Sequence, residues 1–241
     1  MTAPTQARPV VLVSGAARRI GAVIAQTLHA AGHDLALHCR NSRDDLDQLI
    51  AKLERERPNS TLALQADLSD LTQMPALIEA TMQRFGRLDG LVNNASDFFA
   101  TAFGSVTSEQ WDRLFASNAR APFFLAQAAA PQLKKTGGAI VNLLDIYAER
   151  PLAGHSVYCM AKAAQAAMTH ALALELGPEV RVNGVAPGAV MWPEADSDAA
   201  HRAKIIERTP LKRTGQPAEI ADAVLWLLRD ARFVTGQIIR V

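Results

Sequence analysis

The chain is short of net charge, of aromatic residues and of cysteine. Twenty-five Lys and Arg against 24 Asp and Glu leave a formal charge of +1, so no whole-chain basic field marks a nucleic-acid binder or a partner of anionic membranes. The two cysteines, Cys39 and Cys159, lie far apart and form neither a CxxC pair nor a zinc-ligand cluster. Neither a metal site nor a disulfide framework is expected, and a reduced cytoplasmic chain is the simplest reading. No apolar run reaches the ~18 residues that span a bilayer. The opening MTAPTQARP is too polar for a signal peptide, and residues 1–8 read as a flexible tail. With nucleic acid and membrane set aside, the expected partner is a small molecule in a pocket.

What the chain does have is material for a core: 49% of its 241 residues are hydrophobic and 20% charged, which excludes a disordered chain or a small disulfide-stapled scaffold. After Pro9 the run VVLVSG is short, β-branched and closed by glycine, and Ile20, Ile24 and Leu28 then recur every four residues. The spacing predicts strand, tight turn, helix. Apolar runs at 35–38, 61–65, 88–93, 139–144 and 180–185 read as further strands. Between them lie an amphipathic segment carrying Leu46, Leu49, Ile50 and Leu53, and helices centred near 78, 125 and 168. A last helix at 217–228 precedes Gly236-Gln-Ile-Ile-Arg-Val. Strands alternating with helices require crossover connections, which predicts a Rossmann-type α/β fold: a doubly wound parallel sheet with helices on both faces, in a single domain over 9–241. The stretch 189–211 reads as an irregular loop, either over the substrate or simply mobile at the surface.

Ser14-Gly-Ala-Ala-Arg-Arg-Ile-Gly21 falls where the first strand turns into a helix, and the unsatisfied N–H groups of a helix start attract a pyrophosphate there. Gly15 suits the turn and Gly21 close packing, although a glycine pair without a regular GxGxxG also fits a plain βα turn. The second strand ends in His38-Cys39-Arg40-Asn41-Ser42, without the acid that accepts from the ribose 2′-hydroxyl in NAD-selective sites. Arg19 and Arg40 can instead pair with a 2′-phosphate, so NADPH/NADP+ is the expected cofactor unless both arginines merely solvate the surface. Asp67-Leu68 suits the adenine edge, and Asp67 equally suits a helix cap.

Tyr158 and Lys162 stand four apart on a predicted helix and share one face. An ammonium beside a phenol favours the phenolate and makes tyrosine a usable proton donor near neutral pH; alone, such a pair is more often a solvated helix face. Here it has company. Ser14-Gly15, Arg19 to Gly21, Asp67-Leu68, Asn93-Asn94-Ala95, Asn118, Tyr158 with Lys162, and Pro187-Gly188, in this order over most of the chain, resemble the short-chain dehydrogenase/reductase family. The resemblance implies that Tyr158 is the proton donor, that Lys162 lowers its pKa and holds the nicotinamide ribose, and that Asn118 belongs to a water-linked proton relay. It implies that Asn93 to Ala95 line the cofactor, that Pro187 and Gly188 abut the nicotinamide, and that Ile20, Asn41, Ser42 and Val190 complete the cofactor wall. A homotetramer is implied in the same way.

Three departures from the usual family pattern bear on the substrate. Asp145, in Asn142-Leu-Leu-Asp145, stands where a serine is usual; a carboxylate cannot polarise a carbonyl oxygen unless protonated, but it can accept from an amino group or relay a proton to a ring nitrogen. Arg19 replaces a glycine, and His38 ends a strand that lacks the acid. All three are similar to the pteridine reductase branch, including its bacterial dihydromonapterin reductases, as is Asn94-Ala-Ser96-Asp-Phe98-Phe99. That likeness implies a pterin or folate substrate stacked between Phe98 and the nicotinamide and bordered by Trp192, with Ser96 hydrogen-bonding both the pterin and the cofactor. Hydride would pass to a C=N bond, and Asp145, Tyr158 and Lys162 would supply or organise the proton. Taken alone, Phe98 and Phe99 suit an ordinary core, Asp145 a helix cap or a satisfied loop acid, and His155, three residues before Tyr158, suits the pocket and the surface equally. Two other functions stay open: an NADP-dependent carbonyl or 3-oxoacyl reductase, and a non-catalytic NADP-binding regulator, which the presence of Tyr158, Lys162 and Asn118 disfavours.

Overall fold

Valine-rich β1 (Val10–Val13) is buried along its whole length, as a parallel strand covered by helices on both sides must be. In chain order it is followed by β2 (Asp34–Cys39), β3 (Thr61–Gln65), β4 (Gly90–Asn93), β5 (Ala139–Leu143), β6 (Arg181–Ala186) and β7 (Ile238–Arg240). The computed structural model describes residues 8–191 and 199–241, and in it these strands form one seven-stranded parallel sheet in the order β3-β2-β1-β4-β5-β6-β7. Most of the expected N-terminal tail, residues 1–7, lies outside the described residues, as does Trp192.

Helices α1 (Arg19–Ala30), α2 (Arg43–Glu56), α3 (Met74–Phe85), α4 (Ser108–Phe115), α5 (Ala121–Thr136), α6 (Ser156–Leu176), α7 (Ala199–Arg208) and α8 (Pro217–Arg229) fill the connections. Each of the principal helices turns an apolar stripe inward. Ile24 and Leu28 of α1, Leu46 and Leu53 of α2, and Ile220, Val224 and Leu227 of α8 form one core layer with Val11, Val13 and Leu37 of the sheet. Leu77 of α3, Leu125, Ala129 and Leu133 of α5, and Met168 and Leu172 of α6 form the other with Leu12, Leu91 and Ile140. The fold is thus a single doubly wound α/β domain, as the alternation of elements requires. Arg181 closes the end of α8 by donating to the carbonyls of Leu227 and Leu228 in its last turn and of Ala231 just beyond it.

Two segments differ from the sequence expectation. The stretch 189–211 is not irregular throughout, because α7 occupies ten of its residues. The helix expected near 125 is preceded by α4, which Thr107 and Gln110 start with a reciprocal capping box, and a π-helical turn over Ala116–Arg120 joins α4 to α5. No described helix is long and apolar enough to cross a membrane.

Candidate active site

The strand order reverses between β1 and β4, so their carboxyl ends open a crevice, which is a cleft of about 1510 Å³. The turn from β1 into α1 packs directly on the segment after β4. A Cβ at Gly15, whose φ is +63°, would lie 2.9 Å from Ala95 Cα, and one at Gly21 would collide with the Gly15 carbonyl and lie 2.6 Å from Asn94 Nδ2. Ser14 Oγ accepts from the Asn94 and Ala95 N–H groups at 3.0 Å, and Asn94 Nδ2 donates to the Ser14 and Gly15 carbonyls at 2.9 Å. Ser14 is therefore a buried brace under the turn and does not line the cleft; Gly15, Arg19, Ile20, Gly21, Asn94 and Ala95 do. No side chain caps α1 and its first turn carries no acid, so its N–H groups are left for an anion. The close-packed glycines, the two arginines of the turn and the uncapped helix fit a dinucleotide pyrophosphate. Arg19 has φ +53°, which accounts for the usual glycine at its position.

Arg40, Asn41, Ser42, Asp67 and Leu68 line one end of the cleft. Asp67 Oδ1 accepts from Ser69 N at 2.9 Å, and this bonding holds its carboxyl below the usual range; it braces a turn and caps no helix, Asp70 being the cap of the short 3-10 helix that follows. His38 borders the cleft but both ring nitrogens are committed: Nδ1 accepts from Gly15 N at 3.3 Å, so Nε2 carries the proton that it donates to Ala66 O at 3.1 Å. Burial pushes its pKa down, and His38 serves as a neutral brace for the phosphate turn.

At the other end, Tyr158 from α6 donates its hydroxyl to Asp145 Oδ2 at 2.8 Å, while Asp145 Oδ1 accepts from Tyr147 N at 2.9 Å and caps a short 3-10 turn. Cap and site acid are the same residue. Burial raises the Asp145 pKa, and burial with the Asp145 charge raises that of Tyr158. Lys162 donates to Leu143 O at 2.7 Å and to Gln165 Oε1 at 3.1 Å, and its Nζ lies 6.0 Å from the centre of the Tyr158 ring. Burial lowers its pKa to about 8. The expected depression of the tyrosine pKa by lysine is thus absent from this protein without cofactor, where a desolvated phenol faces a carboxylate. Ser96 Oγ donates to Asn118 Oδ1 at 2.6 Å, and the Ser96 hydroxyl opposes Asp145 in its effect on the phenol. Asn118 lies in the π turn, fully buried, with Nδ2 donating to Leu114 O, Asp97 O and Ser117 Oγ; it reaches the cleft only through its bonded neighbours Ser96, Asp97 and Ser117.

Phe98 is 41% exposed and lines the cleft, so it is not a core residue; Phe99 is the one packed inward, beside Leu114 and Val157. The Phe98 ring stacks on His155 at 4.7 Å and meets the edge of Tyr158 at 4.8 Å. Pro187, Gly188 and Val190 line the wall beyond Lys162.

Residues 15–241 match the family model described as enoyl-(acyl carrier protein) reductase. Over its full length the chain is 36% identical to pteridine reductase 1 of Leishmania tarentolae, 96% of which is covered. The chain belongs to the short-chain dehydrogenase/reductase family. Other members are similarly related: it is 32% identical to 3-oxoacyl-(acyl-carrier-protein) reductase FabG of Staphylococcus aureus strain N315 over 95% of either chain, and 38% identical to L-xylulose reductase of Bos taurus over 93% of this chain and 90% of that one. As a short-chain dehydrogenase/reductase it is an NAD(P)(H)-dependent oxidoreductase.

In this short-chain reductase one expected cofactor contact is displaced. Asn93 is buried and turned away from the cleft: its Nδ2 donates to Asn142 Oδ1 at 2.9 Å, Asn142 Nδ2 donates to Thr169 Oγ1 at 2.9 Å, and Thr169 Oγ1 donates to Gln165 O at 2.9 Å. Gln165 in turn accepts from Lys162, so a buried polar chain runs from β4 through β5 to the lysine. Asn142, Gln165 and Thr169 carry no motif; their role depends on partners 27 and 49 residues apart in sequence. Asp97, Arg113 and His155 also line the cleft, and only His155 is foreshadowed by its spacing from Tyr158.

Proposed function

We propose that this chain is an NADPH-dependent reductase of pterins, acting on biopterin, dihydrobiopterin or dihydromonapterin and on dihydrofolate at the same site. The observation that carries the proposal is the Tyr158 hydroxyl bound to Asp145 at 2.8 Å. Where a ketone reductase needs a hydroxyl to polarise oxygen, this site presents a carboxyl group, which accepts from amino and ring N–H groups. The raised pKa of Asp145 brings its protonated form closer to neutral pH, so that it can also return a proton. Full-length similarity to a protein named pteridine reductase 1 agrees.

In this reading the N-terminus of α1 takes the pyrophosphate, Arg19 and Arg40 take the 2′-phosphate, and Lys162 takes the nicotinamide ribose beside Pro187, Gly188 and Val190. A bound NADPH supplies the hydride. Phe98 stacks on the pterin, Ser96 hydrogen-bonds it, and Trp192 borders it. Tyr158, held protonated by burial and by Asp145, gives its proton to the ring nitrogen beside the reduced carbon, and Asn118 fixes Ser96. Chemical catalysis of this kind rests on positioning and proton supply.

A second reading, an NADP-dependent carbonyl or 3-oxoacyl reductase, is favoured by comparable identity to proteins named 3-oxoacyl-(acyl-carrier-protein) reductase and L-xylulose reductase. NADPH oxidation with dihydrobiopterin, dihydrofolate, a quinone and an acetoacetyl thioester, side by side, separates the two. Pterin turnover above ketone turnover is expected. Good ketone turnover with none on pterin or folate at any pH overturns the proposal, and no turnover on any of them points to a non-catalytic NADP-binding regulator.

The proposal includes a cytoplasmic homotetramer. Cys39 and Cys159 are buried and unpaired, which suits a reducing compartment. Phe115, Phe123, Phe124 and Met168 line a second, apolar groove between α4, α5 and α6, which a further copy of the chain would cover. Light scattering at several concentrations tests the assembly; a monomer throughout refutes it.

A further inference from the structure

One charged group in the cleft has no part in the proposed reaction. Asp97, in the segment after β4, accepts from Arg113 Nε of α4 at 2.8 Å and lies 3.7 Å from Arg40 Nη2 at the end of β2. Because β1 runs between β2 and β4, the pair Arg40–Asp97 crosses above the carboxyl end of β1, where the phosphate turn begins. The Asp97 backbone is fixed, its N–H donating to Ser117 Oγ at 3.3 Å and its C=O accepting from Asn118 Nδ2 at 2.9 Å. Arg113 has a second hold, lying 5.0 Å from the centre of the Phe99 ring. Arg40 makes no other direct ion pair among the described residues, although the Asp67 carboxylate also feels its charge, and its side chain is 44% exposed against 16% for that of Asp97.

We propose that Asp97 is a specificity-determining residue of the cofactor site: its carboxylate competes with the cofactor 2′-phosphate for Arg40. A guanidinium turned towards an anion on one side of the cleft serves an anion on the other side less well. A dianionic phosphate that takes it breaks an exposed, weak pair and leaves Asp97 to Arg113, beside the substrate residues Ser96 and Phe98. Asp97 therefore sets how strongly the 2′-phosphate is rewarded. The inference rests on the proposed NADPH preference in one respect, that Arg40 meets the 2′-phosphate.

The test is calorimetric titration of 2′-phospho-ADP-ribose and of ADP-ribose into the wild type, Asp97→Asn, Arg40→Gln, the double variant and Arg113→Gln at low salt. Asp97→Asn should tighten the 2′-phosphorylated ligand about two- to fivefold, the size of an exposed ion pair, and leave ADP-ribose unchanged. The gain should vanish in the Arg40→Gln background and at ~1 M salt. Arg113→Gln, which leaves Asp97 to Arg40 alone, should weaken the same ligand selectively, and it remains informative if the Asp97 variant does not fold. Unchanged or weaker binding in Asp97→Asn, a gain that survives Arg40→Gln, or no effect of Arg113→Gln overturns the inference. No loss in Arg40→Gln overturns the NADPH reading itself, a separate and visible failure.

Discussion

The hydroxyl of Tyr158 and the carboxyl of Asp145 share one hydrogen bond, 2.8 Å long, between the helix that carries the tyrosine and the turn that follows β5. The bond works in opposite directions on the two groups: Asp145 raises the cost of ionising the buried phenol, whereas the hydroxyl it accepts from eases the ionisation of Asp145, whose pKa burial raises. Replacing the acid therefore separates the two functional readings by sign. Asp145→Ser should severely reduce turnover of dihydrobiopterin, while reduction of an acetoacetyl thioester holds or rises, because a serine hydroxyl can polarise the ketone oxygen. Steady-state rates on both substrates decide it; a variant that keeps full pterin turnover contradicts the assigned role.

Lys162 titrates within reach of ordinary buffers, its pKa being lowered by burial to about 8. The charged form is the one that serves a ribose and a phenol, so kcat/KM for NADPH should fall as pH rises through about 8. Asp145 acts in the opposite direction, raising the lysine pKa, so Asp145→Asn should move the alkaline limb to lower pH. Plotting log kcat/KM against pH for both proteins checks the shift, and an unmoved limb removes the coupling.

Phe98 presents its ring to the cleft, stacked on His155 with the planes 10° apart. Phe98→Ala removes a stacking surface worth about 1 kcal/mol, so the pterin KM should rise several-fold with NADPH affinity nearly unchanged. Equal losses for both ligands would show a general collapse of the segment instead.

Arg19 combines a left-handed backbone with a permanent cation, φ being +53°. Arg19→Gly keeps the left-handed backbone accessible and removes the cation proposed to meet a cofactor phosphate. NADPH affinity should fall in a calorimetric titration while the circular dichroism of the folded protein stays unchanged. Unaltered affinity disagrees with the assignment.

His29, His33 and His38 are buried, and burial sets each pKa below the ordinary value of 6.5. As pH falls below 6.5 the unfolded chain takes up protons that the folded one refuses. The stability these groups allow is intact above that pH and is lost progressively on acidification towards their folded pKa values. The urea midpoint should drop between about pH 7.5 and pH 5.5, and His33→Gln should flatten the slope. A midpoint independent of pH over that range would exclude the effect.

The alternation of β-branched runs with four-residue apolar spacing, the glycines at 15 and 21, and the shared helical face of Tyr158 and Lys162 are local properties, and they determined the doubly wound sheet and the place of its phosphate turn without any knowledge of neighbours. The helix inside 189–211 was hidden because a polar segment offers weak periodicity, and α4 because its capping box at Thr107 and Gln110 was the only mark of its start. Partners and burial were decided by the tertiary structure alone. The crossovers bring the end of β5 against α6, which gives Tyr158 a carboxylate for a neighbour and turns Lys162 towards Leu143 and Gln165. The same crossovers draw Ser14, Asn93 and Asn118 into supporting bonds, and set Arg40 opposite Asp97. Side-chain spacing along one element fixes which groups share a face; which charge they meet there, and in how little water, depends on segments far away in sequence, and those two quantities dominate the shifts of Asp145, Tyr158 and Lys162.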